Sequence, residues 1–510
     1  MRIPVLLAFC LCAVFALAQA SPSSQPASGF SIDNIDKTQD PCVDFFQYAC
    51  GNWLKKAEIP ADLPRWGSFA ELHERNQKEL REILEKAAAV TPNRNAIDQK
   101  IGDFYSSCMD EKAVDAAGVN AVKPELDGLM AVTNKTALID QIAHLRMVGA
   151  GALFSFYSTP DLHNADEVIA AIDQGGLTLP DRNYYIQTDP KMAAMRQHLV
   201  DYATQVFTLA GEDPKKAGES AQTVLRIETS LAKASMDRAA RRDPKNRDHK
   251  MTKEQAEALA SNFSLNRYFT DVSAPSFREL NVANPEFFQQ VNGVLESESL
   301  DALKTYAAWR LLDTAAPWLS EPFVDAHFQM QKQLTGQAQI EDRWKRCVDL
   351  TDKSLGEALG QRYVETYFTP EDKQRMLKMV AALEKALNED IQGLPWMSAE
   401  TKKQAEVKLA AIRNKIGYPE VWRDYTLLTV TRGDLMGNVA RANEFESKRQ
   451  IAKIGKPLDR KEWGMTPPTV NAYYSGSYNE IVFPAGILQP PFFDKNMDDA
   501  VNFGGIGIVI

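Results

Sequence analysis

Hydrolysis at a bound metal needs imidazoles or carboxylates at close, fixed spacing, and the histidines of this chain do not offer it. The six histidines are His73, His144, His163, His198, His249 and His327, and no two are closer than nineteen residues. No helix can therefore present two imidazoles one turn apart. The nearest imitation is His73-Glu74-Arg75-Asn76-Gln77, with an amide where the second imidazole would stand. An amide is a poor zinc ligand, so the segment reads as the solvated face of a helix. No Gly-x-Ser-x-Gly elbow follows a plausible strand, and Gly504-Gly505-Ile506-Gly507 lacks the Lys-Ser/Thr of a phosphate-cradling loop. The residues alone thus assign no metal ligand and no catalytic group within the 510 positions.

The cysteines tell more about compartment than about chemistry. Met1-Arg2, an apolar run from Ile3 to Ala18 and Ala18-Gln19-Ala20 form a secretory signal over residues 1–20, too short for a membrane span. Only an uncleaved signal would anchor the chain to a membrane, and the expected location is secreted or periplasmic. Cys10 and Cys12 leave with the signal; Cys42, Cys50, Cys108 and Cys347 enter an oxidising compartment, where their spacing leaves three pairings open. With 58 basic against 68 acidic residues, a net charge of −10, the chain lacks the basic surface that nucleic-acid binding needs. Its densest cationic run is Arg238 to Arg242.

The elements that must position any site are mainly helical. Residues 21–31 form a Ser/Pro linker, and the pattern from 32 to about 460 is that of a large helical domain. Ser68 and Glu71 predict a capping box ahead of a face made by Phe69, Leu72, Leu80, Ile83, Leu84 and Ala87. Thr369-Pro370 opens a second helix with Met376, Met379, Val380, Leu383, Leu387 and Ile391 buried. Ser398 opens a third, carrying Ala405, Leu409, Ile412 and Ile416 and ended by Gly417 and Pro419. After Lys461 the texture changes, and Val470 to Pro484 predicts a β-hairpin around Ser475-Gly476-Ser477. Asp498 to Ile510 is an apolar run without a cap or polar tail, which predicts a sequence cut inside an element.

Longer segments carry a resemblance that spacing does not. Asp40-Pro41-Cys42-Val43-Asp44-Phe45-Phe46 through Cys50-Gly51-Asn52-Trp53 is similar to the N-terminal signature of the neprilysin-type zinc metallopeptidases, which include the endothelin-converting enzymes and bacterial secreted relatives. The likeness continues in order through Gly176 to Tyr185, Arg343-Trp344-Lys345-Arg346-Cys347-Val348, Lys415 to Pro419, Trp463 to Tyr474 and Val501 to Gly507. It implies a mainly α, two-lobed peptidase whose residues 461–510 begin a thermolysin-like zinc domain. In that family the segment like Asn502 to Ile510 leads into Gly-His-Glu-x-x-His, whose histidines hold zinc and whose glutamate activates the attacking water. None of those residues is present here, so the resemblance implies a zinc metalloendopeptidase in full-length form and an inactive chain as it stands.

The same resemblance assigns residues to peptide binding. Asn471 and Ala472 match the family's Asn-Ala pair, which grips the substrate backbone; an edge strand and a primary amide are suited to that task. Arg65 matches an arginine associated with the substrate's C-terminal side, where a guanidinium could clamp a carboxylate. Cys108 and Cys347 resemble disulfide partners, and Cys42 and Cys50 resemble cysteines whose partners lie beyond this sequence. The implied partners are peptides, with an apolar residue after the scissile bond. The competing reading is a non-catalytic secreted scaffold that binds peptides.

Overall fold

Apolar stripes at helical spacing must be buried against one another, and here they collect into two cores. The computed structural model describes residues 31–510; the signal and residues 21–30 of the linker lie outside the described residues. One core is built by helices between Val122 and Met330, closed by Ile451 and Ile454. The other gathers Leu72, Leu80 and Leu84 from the Ser68–Ala88 helix, Phe104 and Tyr105 from the Ala96–Met109 helix, Leu359 and Tyr363 from the Arg343–Tyr367 helix, and Phe483 to Ile506. The chain therefore begins in the second core, departs to complete the first, and returns. Cys108 and Cys347, at the departure and the return, are joined by a disulfide with Cα atoms 5.6 Å apart. The second core takes residues from both sides of the 460/461 boundary.

The Gly176 to Tyr185 segment serves the first core. Glu228, fully buried, accepts from Thr178 N at 3.1 Å, Thr178 Oγ1 at 2.8 Å and Tyr185 Oη at 2.6 Å, with Arg310 Nη1 3.8 Å away. Such a buried charge is tolerable only because partners surround it.

Two small sheets interrupt the helices. The first contains β1 (Phe154–Asp161), β2 (Asn164–Gln174), β3 (Lys250–Thr252) and β4 (Glu279–Val282) in the order β1-β2-β4-β3. Helical reading of this region missed it because Val168 to Ile172 is buried throughout and shows no alternation. The second contains β5 (Arg413–Gly417), β6 (Tyr473–Ser475) and β7 (Glu480–Pro484) in the order β5-β7-β6. β6 and β7 are the expected hairpin, and β5 joins β7 in parallel.

Local expectations divide. Thr369 caps its helix with a capping box completed by Asp372, but Leu387 is exposed. The Ser68 capping box does not form: Gly67 is the N-cap, and the Glu71 carboxylate accepts from Trp53 Nε1 at 3.1 Å instead. Phe69 is half exposed, its ring 4.6 Å from that of Phe492. The Ser398 helix ends at Ala410, so Ile416 is buried as a strand residue; pairing with β7 outweighs the helical period. Asp499–Ile506 is a short helix that buries Ile506. Among the described residues no helix is long and apolar enough to cross a membrane.

Candidate peptide-binding edge

The hairpin places one strand edge free. β7 lies between β5 and β6, so β6 is the outermost strand and its far edge pairs with no strand among the described residues. Asn471 and Ala472 lead directly into it. Asn471 is exposed, and its Oδ1 accepts from Ala472 N at 2.8 Å, which leaves the Nδ2 donors for a ligand. An extended peptide laid along β6 would find backbone donors and acceptors at strand spacing beside this amide.

The segment before Asn471 is seated firmly on two helices. Asn76, buried in the Ser68–Ala88 helix, donates Nδ2 to Pro468 O at 3.1 Å and to Gly486 O at 3.3 Å. In the Arg343–Tyr367 helix, Asp352 accepts from Thr466 Oγ1 at 3.0 Å, and Thr466 Oγ1 lies 2.9 Å from Thr469 Oγ1. The helix is irregular at Leu355 (φ −134°, ψ 29°), beside Gly356. There and one turn on it comes so close that a Cβ at Gly356 would collide with Thr466, and one at Gly360 would lie 2.6 Å from Pro467 Cδ. Asp352 Oδ1 is closed off from solvent without a hydrogen-bond partner. Burial pushes that carboxyl up to about 7, the Thr466 hydroxyl opposing and the Asp349 charge assisting.

Arg65 occupies the loop ahead of the Ser68–Ala88 helix and is exposed. The loop is pinned from behind: Ala61 O accepts from Ala338 N at 3.1 Å and from Gln339 N at 2.8 Å, and Asp62 O accepts from Gln337 Nε2 at 2.7 Å. Lys345 Nζ adds an ion pair to Asp62 at 2.7 Å and another to Glu74 at 2.7 Å. Burial works against the charge on Lys345, but the two carboxylates outweigh it and hold its pKa above the usual value. Arg65 itself makes no ion pair or side-chain hydrogen bond among the described residues, and none joins it to Asn471 or Ala472. The loop and the β6 approach share one support, the Ser68–Ala88 helix.

That helix corrects the reading of His73 to Gln77 as a solvated face. Gln77 is buried and donates Nε2 to Asp349 at 3.0 Å, while Glu74 holds Lys345. Lys345, Asp349 and Asp352 share one helix face at i, i+4 and i+7, but in so charged a helix that spacing does not single them out. Cys42 and Cys50 are unbonded, the first exposed and the second half-buried.

Comparison with known proteins decides the family. Models of Peptidase family M13 match residues 41–419 and 471–510. The chain belongs to peptidase family M13. It is 32% identical over 502 residues to endothelin-converting enzyme 1 of Rattus norvegicus, covering 94% of this chain and 65% of that one. It therefore spans just under two thirds of the length of that relative. Among solved structures it is similar to the Mycobacterium tuberculosis zinc metalloprotease ZMP1 in complex with an inhibitor (TM-score 0.88, 35% identity, 95% of this chain and 74% of that one). PepO from Lactobacillus rhamnosis shares the fold at 22% identity (TM-score 0.83, 91% of this chain and 74% of that one). The mainly helical, two-core architecture is thus that of neprilysin-type peptidases. The zinc of such enzymes has no fitting donor set here: among the described residues no three His, Cys, Asp or Glu side chains gather where they could hold a metal ion.

Proposed function

We propose that this chain is the peptide-holding part of a neprilysin-type metalloendopeptidase, exported from the cytoplasm and acting on peptides. One observation carries the reading: in a family M13 chain, Asn471 and Ala472 open onto the unpaired edge of β6. The chain's own groups bind and orient. The β6 edge takes the peptide backbone, the Asn471 amide fixes its register, and the free guanidinium of Arg65 receives a C-terminal carboxylate. Residues 461–510 form the opening strands and helix of the zinc-bearing domain, and the 510 residues alone neither retain zinc nor cleave. The Cys108–Cys347 bond supports an oxidising, extracytoplasmic location.

The test uses the purified 510-residue protein and fluorescein-labelled extended peptides, read by anisotropy, with zinc content and cleavage products measured in parallel. Peptide binding is expected, weakened about tenfold by Asn471→Ala. Stoichiometric zinc with turnover would overturn the inactivity of these residues, and no peptide binding would overturn the reading as a whole. A non-catalytic secreted scaffold that binds peptides is the second reading, resting on the same free edge of β6, which needs no metal to take a peptide. Codons for Gly-His-Glu-x-x-His beyond Ile510 would dismiss it.

A further inference from the structure

The turn that ends β6 meets the first sheet at a cationic cavity. Ser477, in that turn, helps to line a cavity of about 240 Å³ whose other walls are the face of β1 carrying Tyr157 and Thr159 and the 3-10 turns Ala240–Arg242 and Pro244–Arg247. Four cations line it, Arg241, Arg242, Arg247 and Lys250, against two carboxylates, Asp161 and Asp248.

Most of these charges already have partners. Arg241 grips Asp173 through both Nη atoms, at 3.3 and 2.7 Å. Lys250 pairs with Asp161 at 2.7 Å and with Glu279 at 3.6 Å, and Asp248 faces His163 at 2.9 Å. One cation is left over. Arg242 is exposed and makes no ion pair or side-chain hydrogen bond among the described residues. Arg247 shares one Nη between Tyr157 Oη at 3.1 Å and Asp173 at 3.5 Å, and its Nε is closed off from solvent. An unpaired guanidinium lining a cavity whose other charges are already paired asks for an anion.

The cavity also adjoins the turn that follows β6, through Ser477. Ser475 ends β6 four residues beyond Asn471, roughly 13 Å at strand spacing, and Ser477 follows in the turn. Arg460 ties this end of the hairpin to the first sheet, donating to Tyr478 O at 3.1 Å and to Asp166 at 2.6 Å. We propose that this cavity is an acidic-residue subsite: it receives the carboxylate of an Asp or Glu side chain lying about four to six residues along an extended peptide from the residue opposite Asn471. The proposal rests on peptide addition to β6. The Arg242 guanidinium is the donor that takes the carboxylate, and it selects acidic peptides over their neutral isosteres.

A single Glu walked along an otherwise neutral, labelled decapeptide tests this on the full 510-residue chain. Glu at one or two adjacent positions is expected to tighten binding about tenfold over Gln. The gain should vanish in Arg242→Gln, return in Arg242→Lys and shrink with added salt, while the all-neutral peptide binds every variant equally. Arg242 is exposed and unpaired, so these variants leave the fold intact. A gain spread evenly over all positions, or one that survives Arg242→Gln, overturns the subsite. Neutral-peptide binding that depends on Asn471 with no positional effect of Glu also overturns it, and leaves addition to β6 standing. If no peptide binds at all, β6 addition fails and the subsite falls with it.

Discussion

Asp352 shows how a single enclosed carboxyl couples acidity to the seating of the segment that leads into β6. Its pKa is pushed up to about 7 from an ordinary 3.8, burial first, with Asp349 adding to it and Thr466 subtracting. The groups around that pair are Gln77, His73 and Glu74 from the Ser68–Ala88 helix and Lys345 from the same helix as Asp352. Between about pH 4 and 7 the folded chain holds a proton here that the unfolded chain has released, so stability falls as pH rises through that window and is level above it. Asp352→Asn keeps the shape and removes the charge. It should therefore stabilise the protein at pH 8, on the order of 1 to 4 kcal/mol, and do far less at pH 4. Urea unfolding of both proteins at the two pH values checks it; equal differences at both would mean that Asp352 is ionised throughout. Arg65 gives a second expectation at this scale. Arg65→Gln should weaken binding of a peptide with a free C-terminal carboxylate, by about tenfold, and leave its amidated form unchanged. Equal losses for both, measured by anisotropy, would separate Arg65 from the carboxylate.

At the scale of elements, the edge strand is held by an approach of backbone to helix that only glycine permits. Gly360 lies against Pro467, and the Cβ of an alanine would sit 2.6 Å from Pro467 Cδ. Gly360→Ala must push the 466–469 turn away from the helix, breaking the Thr466–Asp352 bond and shifting Asn471. The expected cost is about 1 to 3 kcal/mol of stability together with weakened peptide binding. Weakened stability with unchanged peptide affinity would show that the turn does not set the strand's place. This support was poorly legible in the sequence. The hairpin was readable because aromatic and β-branched residues flank a Ser-Gly-Ser turn, and the Thr369 cap because its partners lie within four residues. β5 was not, since Arg413 to Gly417 is a strand only by virtue of β7, some 65 residues later. The two sheets together explain the misreadings of Ile416 and of Val168 to Ile172: long-range pairing overrides local period. Motif likeness alone singles out Arg65, Asn471 and Ala472 as candidates, whereas Lys345, Asp352 and Arg242 take their meaning from neighbours distant in sequence.

The whole molecule is one lobe inserted into another, and its disulfide sits at the insertion point. Cys108 and Cys347 are 239 residues apart, and the segment between them contains nearly all of the first core. Both cysteines belong to the second core. Two cores of this size that share few buried residues are expected to melt as two transitions in calorimetry, not as one. The bond's contribution then depends on which lobe is still folded. While the first lobe is intact it already holds the chain ends near Cys108 and Cys347 together, so the covalent link removes little freedom. Once that lobe has unfolded, the link closes a loop of over two hundred residues, and the entropy it removes from the unfolded chain is large. A Cys108→Ala/Cys347→Ala variant should therefore lower the stability of the second core by roughly 2 to 5 kcal/mol under conditions where the first is unfolded, and by less where it is folded. The first core's own transition should move by no more than about 0.5 kcal/mol, since neither cysteine packs in it. A single cooperative transition in both proteins would mean that the lobes unfold as one unit, and would remove the basis for treating the insertion as an autonomous body.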